Sequence, residues 1–338
     1  MNQLEIKRFI DKLIAESETR LDELFARMLK EILAEIEKMY AKYQKKGELS
    51  YTDLNKYNRL HSLFERMIEH TTAEYRMIIQ EMTAMRQTVY VENYLRTAYL
   101  FEVFSSIAMG FTVPSIKVIE AALANPIEHL KLNKVLEKHR NAIVEDLQTI
   151  ITQGLLRGSS YWDMAAEIEK KVGFHQNKAI MVARTEAGRA QSIADEQVGK
   201  IASQYAKLEK IWASALDFRV RVAHRKLDGQ RADEEGYFHY QGLKARGPHM
   251  WHRADMDINC RCVVLRLVNG MLPTVRKGRD YRDEDYQKRF QEAVEQFMKR
   301  DDLTLIQAIN KANKHVQPPN KMFESYISFD EWKERMDG

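Results

Sequence analysis

The sequence predicts a mainly α protein with a small α+β domain, and three observations carry that prediction. Glycine and proline are sparse, at 14 and 6 in 338 residues, which favours long helices over a turn-rich β protein. Apolar residues recur at three- and four-residue steps over most of the first two hundred positions. The pattern changes near residue 210, where short alternating segments replace the stripes. The expected architecture is a long N-terminal helical hairpin or bundle, then a compact α+β globule, then a helical C-terminal extension. The boundaries are 1–174 for a helical docking or stalk domain, 175–270 for the α+β domain, and 271–338 for a charged, partly helical extension.

Residues 1 to about 46 read as one helix on the stripe Leu21, Phe25, Met28, Ile32, Ile36 and Tyr40, stopped by Gly47. A second stripe runs from Thr52 through Leu63, Tyr75, Ile78 and Met82. It either continues into, or breaks before, a segment from Val89 to Ile107. Gly110–Pro114 interrupts the helices, a short helix follows over Ser115–Leu123, and Asn125-Pro126 marks a loop. Leu132–Leu156 is the next amphipathic helix, closed by Gly158. Ser159 or Ser160 caps a helix from Tyr161 to Val172, which Gly173 ends. His175–Leu208 is then a separate helix.

Lys210–Leu216 alternates as a strand, and Val264–Leu267 is its expected companion. Between them, Asp228–Ile258 is a long polar connection of the kind usually functional or pinned by something. Asn269-Gly270 is a turn. Helices follow over Asp283–Lys299 and Leu303–Ala312, Pro318-Pro319 breaks the chain, and Ser328 caps a last helix through Trp332.

Net charge is +4, from 53 basic and 49 acidic residues, so the chain is a near-balanced polyampholyte and not a dedicated nucleic-acid binder. Two cysteines form no disulfide framework. The first residues lack a basic segment followed by an apolar core, so no secretory signal is expected. No run reaches the roughly 18 apolar residues needed to span a bilayer.

The informative stretch is Ala183–Val263. It holds both cysteines and four of the ten histidines. Its residues fall in a fixed order: Ala183-Arg184-Thr185-Glu186 with Arg189 on a helix, then Trp212, Asp217, Arg221 to His224, Leu227-Asp228-Gly229, Pro248 and Asn259-Cys260-Arg261-Cys262. That order resembles the Mu F-like minor head protein family, the phage head-morphogenesis proteins. The helix–Gly–Ser–helix step over Leu155–Ile168 fits the same family. The resemblance covers about a quarter of the chain strongly. It implies a structural part in head assembly, association with portal and capsid proteins, contact with packaged DNA, and a place in the virion head after assembly in the host cytoplasm.

Several chemistries are open to these residues. Cys260, Cys262, His224, His249 and His252 are zinc-ligand types, and a closed site would pin the long connection. Against this, the cysteines serve equally as small buried hydrophobes and the histidines as polar contacts, with no cofactor needed. Asp217, His224, Asp228 and Glu186 could make a hydrolase constellation, though no phosphate-binding loop, nucleophile elbow or His-Glu-x-x-His is present. The contrasting expectation is that Arg184, Glu186, Arg221 and Asp228 form one ion-paired network tying helix to loop. Between Phe218 and Val263, nine Lys/Arg and six Asp/Glu leave net +3, interleaved with Tyr237, Phe238, Tyr240 and Trp251. That composition suits either a weak, non-specific phosphate surface or a solvated loop with its aromatics packed inward. Two function classes follow. One is a structural head protein, an assembly component without catalysis; the other is a metal-dependent hydrolase or toxin-like enzyme on a helical stalk.

Overall fold

The N-terminal stripe forms one helix, α1 (Gln3–Tyr43), in the computed structural model, which describes residues 3–44, 51–55, 58–125, 130–268, 276–301, 303–323 and 327–337. After α2 (Tyr51–Asn55), α3 runs unbroken from Arg59 to Ser105. No glycine or proline lies within it, so nothing forces a break before Val89. Next come α4 (Ile116–Leu123) and α5 (Leu132–Arg157). Gly158 ends α5 in the left-handed region at φ 69 and returns its N–H to Gly154 and Leu155 carbonyls. The stop expected at Gly47, Pro126 and the Asn269-Gly270 turn lie outside the described residues.

Two boundaries are corrected, one at Gly173 and one at the far end of the helix expected over His175–Leu208, which stops at Ala202. Gly173 does not end a helix: α6 is continuous from Tyr161 to Ala202. Ser160 caps it, accepting from the Asp163 N–H at 3.2 Å while Asp163 accepts from the Ser160 N–H at 3.3 Å. A single glycine costs a helix about 1 kcal/mol. The buried stripe Ile168, Val172, Ala179, Ala183, Ala187 and Ala190 runs through the glycine without a phase change, which outweighs that cost.

The described chain forms two compact units. One comprises Arg8–Arg96 and Phe111–Asp195 and is a helical bundle whose polar pairs give its directions. Ser17 bonds Glu81, Arg27 clasps Glu74 at 2.6 and 2.8 Å, and Arg66 bonds Glu35. Rising positions on α1 therefore meet falling positions on α3, the antiparallel hairpin expected from the paired stripes. Gln176 to Asp22 and Arg184 to Glu18 set α6 antiparallel to α1. Lys171 and His175 meet Asp146 on α5. Phe25 and Tyr75 meet edge to face inside the hairpin at 6.0 Å.

The other unit comprises Met1–Lys7, Thr97–Gly110 and Glu196–Gly338. Its main ladder pairs β1 (Leu208–Ala213) antiparallel with β4 (Val263–Val268), Trp212 opposite Val264. Between the two strands lie α7 (Val222–Leu227), β2 (Phe238–Tyr240), β3 (Leu243–Ala245) and α8 (Ala254–Asp257). The Asp228–Ile258 connection is thus not an open loop. Its hairpin turns on Gln241 and Gly242, both at positive φ (47 and 79), the conformation a tight two-residue turn demands. Strands of three residues are too short to show alternation in sequence.

The C-terminal residues belong to this same unit. β5 (Arg276–Arg279) pairs antiparallel with β6 (Asn320–Phe323). Between them, α9 (Glu284–Arg300) packs on α10 (Leu305–His315) around Val294, Ala308 and Ala312. The last helix, α11 (Phe329–Asp337), is capped by Ser328, which accepts from Glu331 N–H. Phe329 and the fully buried Trp332 cover Leu216 and Val220. The C-terminal segment thus packs on its own chain through these contacts. No helix among the described residues is long and apolar enough to cross a membrane.

Candidate functional site

The signature divides between the two units. In the helical bundle, Arg189 and Glu186 pair while only 7% and 8% exposed, at 2.9 Å, and Arg189 also donates to the Leu123 carbonyl at 2.6 Å. That carbonyl is among the last of α4, where a helix lacks internal donors and favours a cation. Arg86 adds a weaker contact to Glu186 at 3.4 Å. Arg184 donates to both Glu18 oxygens, and Thr185 returns its hydroxyl to the Met181 carbonyl one turn back. All four residues bind the bundle's own helices.

In the other unit, Leu227-Asp228-Gly229 makes a turn. Gly229 sits at φ +77 with open space around it, so the requirement is for the left-handed backbone and not for room. Asp228 accepts from Ser214 N–H at 2.7 Å, the Ser214 hydroxyl at 2.9 Å and Phe329 N–H at 2.8 Å. Arg276 bonds both its oxygens, at 2.5 and 3.1 Å, and donates to the Ser214 and Ile327 carbonyls. The two side chains are 2% and 4% exposed. Every lone pair facing inward has a donor, which is the condition a buried carboxylate must meet. Arg276 was missed in the sequence because it lies beyond the signature in a charged run.

Asp217 is likewise buried, held by Arg261 at 2.9 Å from Nη2 and by the Arg219 N–H. Arg221 donates to the carbonyls of Asp255 and Ile258, fastening α8 to the start of α7. The four residues expected in one network, Arg184, Glu186, Arg221 and Asp228, therefore each have separate partners. Residue type announces that an arginine will pair but not with what. The would-be hydrolase residues Asp217 and Asp228 are saturated by their arginines and by backbone or hydroxyl donors.

What remains is a cluster of His224, Cys260 and Cys262. His224 Nδ1 lies 3.4 Å from Cys260 Sγ and 3.3 Å from Cys262 Sγ. All three residues are buried, and their ligand-type atoms lie within 4.8 Å of one another. Cys260 and Cys262 alternate on extended chain leading into β4, so both sulfurs fall on one side while Arg261 turns to Asp217. Asn259 makes the preceding corner at φ 53, a conformation asparagine tolerates. Trp212 forms the wall, meeting His224, Phe238 and Trp251 at 5.3 to 6.0 Å. Burial alone would raise the Cys260 thiol, but Cys262, His224 and His249 outweigh it and hold the thiol well below the ordinary range. Burial beside that sulfur pushes Cys262 well above it. His249 is buried at φ 60, bonded through Nε2 to the Cys260 carbonyl at 3.1 Å, with its Nδ1 unpartnered. Burial holds it below the usual histidine range. His252 is exposed.

A second polar group was not foreseen. Glu196 on α6 accepts from Lys210, Arg246 and Arg266. A Cβ at Gly199 would stand 2.2 Å from Arg266 Nε, so only glycine lets that guanidinium lie on the helix. The adjoining cavity of about 810 Å3 is lined by Lys200, Lys207 and Arg231 but also by Glu209, Glu234 and Glu235, mixed charges that make no uniform phosphate surface. Phe238 and Trp251 are buried, and Lys244 and Arg246 stand 4.4 and 4.5 Å from the centre of the Tyr237 ring. These aromatics are occupied by their own chain.

Residues 145–265 match the family described as Phage Mu protein F like protein. The chain is 38% identical to the minor head protein GP7 of Bacillus phage SPP1 over 279 residues, covering 82% of this chain and 91% of that one. It is 30% identical over 193 residues to a protein of Enterococcus faecalis named NAD(+)–arginine ADP-ribosyltransferase EFV, covering 57% of this chain but 40% of that protein. An uncharacterized protein of Haemophilus influenzae is 27% identical over 140 residues, 40% of this chain and 28% of that one. No solved structure matches the chain.

Proposed function

Since the chain belongs to the Mu F-like family of phage minor head proteins, we propose that it works as a structural part of a phage head, joined to portal and capsid proteins and performing no reaction. The observation that carries this reading is the state of the signature's charged residues. Glu186, Arg189, Asp217 and Asp228 are buried and spent on intrachain bonds, as a scaffold needs and a hydrolase does not. Its docking surface is apolar. At the end of α3, Tyr99 and Val103 stand one turn apart with Phe104 beside them, and Ile107 follows just past the helix, all exposed, Tyr99 at 60%. An apolar helix stripe in water marks a contact surface, and a neighbouring head component would cover it. We place the protein in the head interior, arriving from the host cytoplasm during assembly. DNA contact there is electrostatic, non-specific and salt-sensitive, because the aromatics near residues 237–251 are not free to stack.

The test is mass spectrometry of purified, nuclease-treated particles. The chain is expected beside portal and major capsid proteins at low, reproducible stoichiometry; its absence from otherwise complete particles would overturn the reading. The rival is a metal-dependent hydrolase or toxin-like enzyme, favoured by the His224–Cys260–Cys262 cluster and, weakly, by the partial likeness to a protein named as an ADP-ribosyltransferase. It requires an activity that His224→Ala abolishes in a chain that still folds.

A further inference from the structure

We infer that His224, Cys260 and Cys262 bind a structural zinc ion, with the imidazole of His249 as the candidate fourth donor. Three independent features lead there. The first is distance. Zinc bonds of about 2.3 Å to sulfur and about 2.0–2.1 Å to nitrogen, set tetrahedrally, separate neighbouring S and N ligand atoms by about 3.5 Å. The two Sγ–Nδ1 distances here are 3.4 and 3.3 Å. One ring nitrogen nearly equidistant from two sulfurs is the geometry of a shared centre. A lone N–H donor would align on one sulfur.

The second is burial with unmet hydrogen-bonding capacity. Cys260 and Cys262 are 9% and 6% exposed, His224 and His249 are 2% and 4%, and His249 Nδ1 has no hydrogen-bond partner. A buried polar nitrogen without a partner is costly, and ligation removes that cost. His249 already touches the Cys260 carbonyl. Soft thiolate and imidazole donors with no carboxylate among them select zinc over magnesium or calcium.

The third is position. Both sulfurs lie 36 and 38 residues from His224 in sequence, so the ion would close the connection that carries β2, β3 and α8. It would join α7 to the start of β4 beside Trp212. Three donors already lie within 4.8 Å of one another; with His249 turned in as the fourth, the site would be closed as in structural zinc centres and leave no open position for substrate. This inference is independent of the head role.

The experiment uses the full chain, purified without chelators and with reduced thiols, and elemental analysis of every transition metal. About one zinc per chain is expected, lost in Cys260→Ser, Cys262→Ser and His224→Ala, with a chelator lowering the melting temperature of the wild type. Should the variants fail to fold, the wild type stripped of metal and refilled with cobalt decides the matter: thiolate-to-cobalt charge-transfer absorption and restored thermal stability are expected. A metal-free chain whose thiols react stoichiometrically in the native state, whose melt ignores the chelator and whose spectrum ignores cobalt would overturn the proposal. So would a Cys260–Cys262 disulfide found by mass spectrometry in chain purified directly from particles.

Discussion

Asp228 and Arg276 give the sharpest test of whether the signature is structural. The two side chains are almost fully buried, and the carboxylate has five donor contacts. Asp228→Asn keeps the shape and one acceptor oxygen but leaves the guanidinium without its counter-charge. Breaking a buried pair from one side costs about 3–5 kcal/mol. The retained bonds to the Ser214 and Ile327 carbonyls soften that, so about 3 kcal/mol is expected. This is a large part of the 5–15 kcal/mol typical of a domain. Arg276→Met should cost a similar amount. In the double variant no charge is stranded, so its loss should fall short of the sum by about 2 kcal/mol or more. Urea unfolding followed by tryptophan fluorescence suits the question: Trp212, Trp251 and Trp332 are buried in this unit, whereas Trp162 is 78% exposed. Single variants within about 0.5 kcal/mol of wild type, or losses that simply add, would refute the reasoning.

Four further outcomes are expected. Gly173→Ala should stabilise the chain by about 0.5–1 kcal/mol, because the residue is mid-helix with open space around it; destabilisation in a urea melt would mean that the helix is interrupted there. Gly199→Ala should cost about 1–3 kcal/mol by overpacking, since Arg266, 5% exposed, cannot retreat from the new methyl; a crystal structure of the variant should show the Arg266–Glu196 bond broken. Trp332→Ala should cost about 3–5 kcal/mol and expose Leu216 and Val220, read as increased binding of an apolar dye. Burial raises the Glu196 carboxyl, but Arg266, Lys210 and Arg246 outweigh it and lower its pKa on balance. Its stabilisation is therefore present above the unfolded glutamate value and is lost as pH falls through the lower folded value; Glu196→Gln should flatten that acid limb of a stability-against-pH curve.

The sequence was most legible where periodicity is long. The stripes behind α1 and α5 end within a few residues of where the periodicity places them, because many buried positions vote together; the stripe behind α3 shows its core positions but not its start at Arg59 or its continuity past Val89. It misled at Gly173, where a local stop signal was weighed without the apolar stripe on both sides of it. The β2–β3 hairpin escaped because three-residue strands show no alternation and the turn uses Gln241-Gly242 in place of the commoner Asn-Gly. The signature told which side chains would pair, but not their partners or their burial, since Arg184 and Arg261 are 54% and 41% exposed. Glu18 for Arg184, Arg261 for Asp217 and Arg276 for Asp228 are tertiary choices with no local trace. His224, Cys260 and Cys262 were singled out as residue types and do converge, while His252 faces water.

The placement of these polar residues has a physical logic. Around Trp212 lies one apolar cluster that includes Leu227, Cys260 and Cys262; around Trp332 lies another that includes Leu216, Val220, Ile327 and Phe329. Small separate cores bury little area each, and small cores need additional fastening. Asp228 follows Leu227 of the first cluster and binds the Phe329 N–H of the second, while its partner Arg276 binds the Ile327 carbonyl. Asp217 follows Leu216 of the second cluster and binds Arg261, which sits between the two cysteines of the first. Both ion pairs thus stand at the seam between two hydrophobic clusters, Asp228–Arg276 buried on both sides and Asp217–Arg261 with its guanidinium 41% exposed. Apolar packing tolerates sliding, whereas a two-pronged charged bond accepts one register and penalises others, most strongly where it is dry. A signature rich in Arg, Asp, His and Cys therefore need not be a reaction centre. In this chain Asp217 and Asp228, through Arg261 and Arg276, fix how two small cores meet.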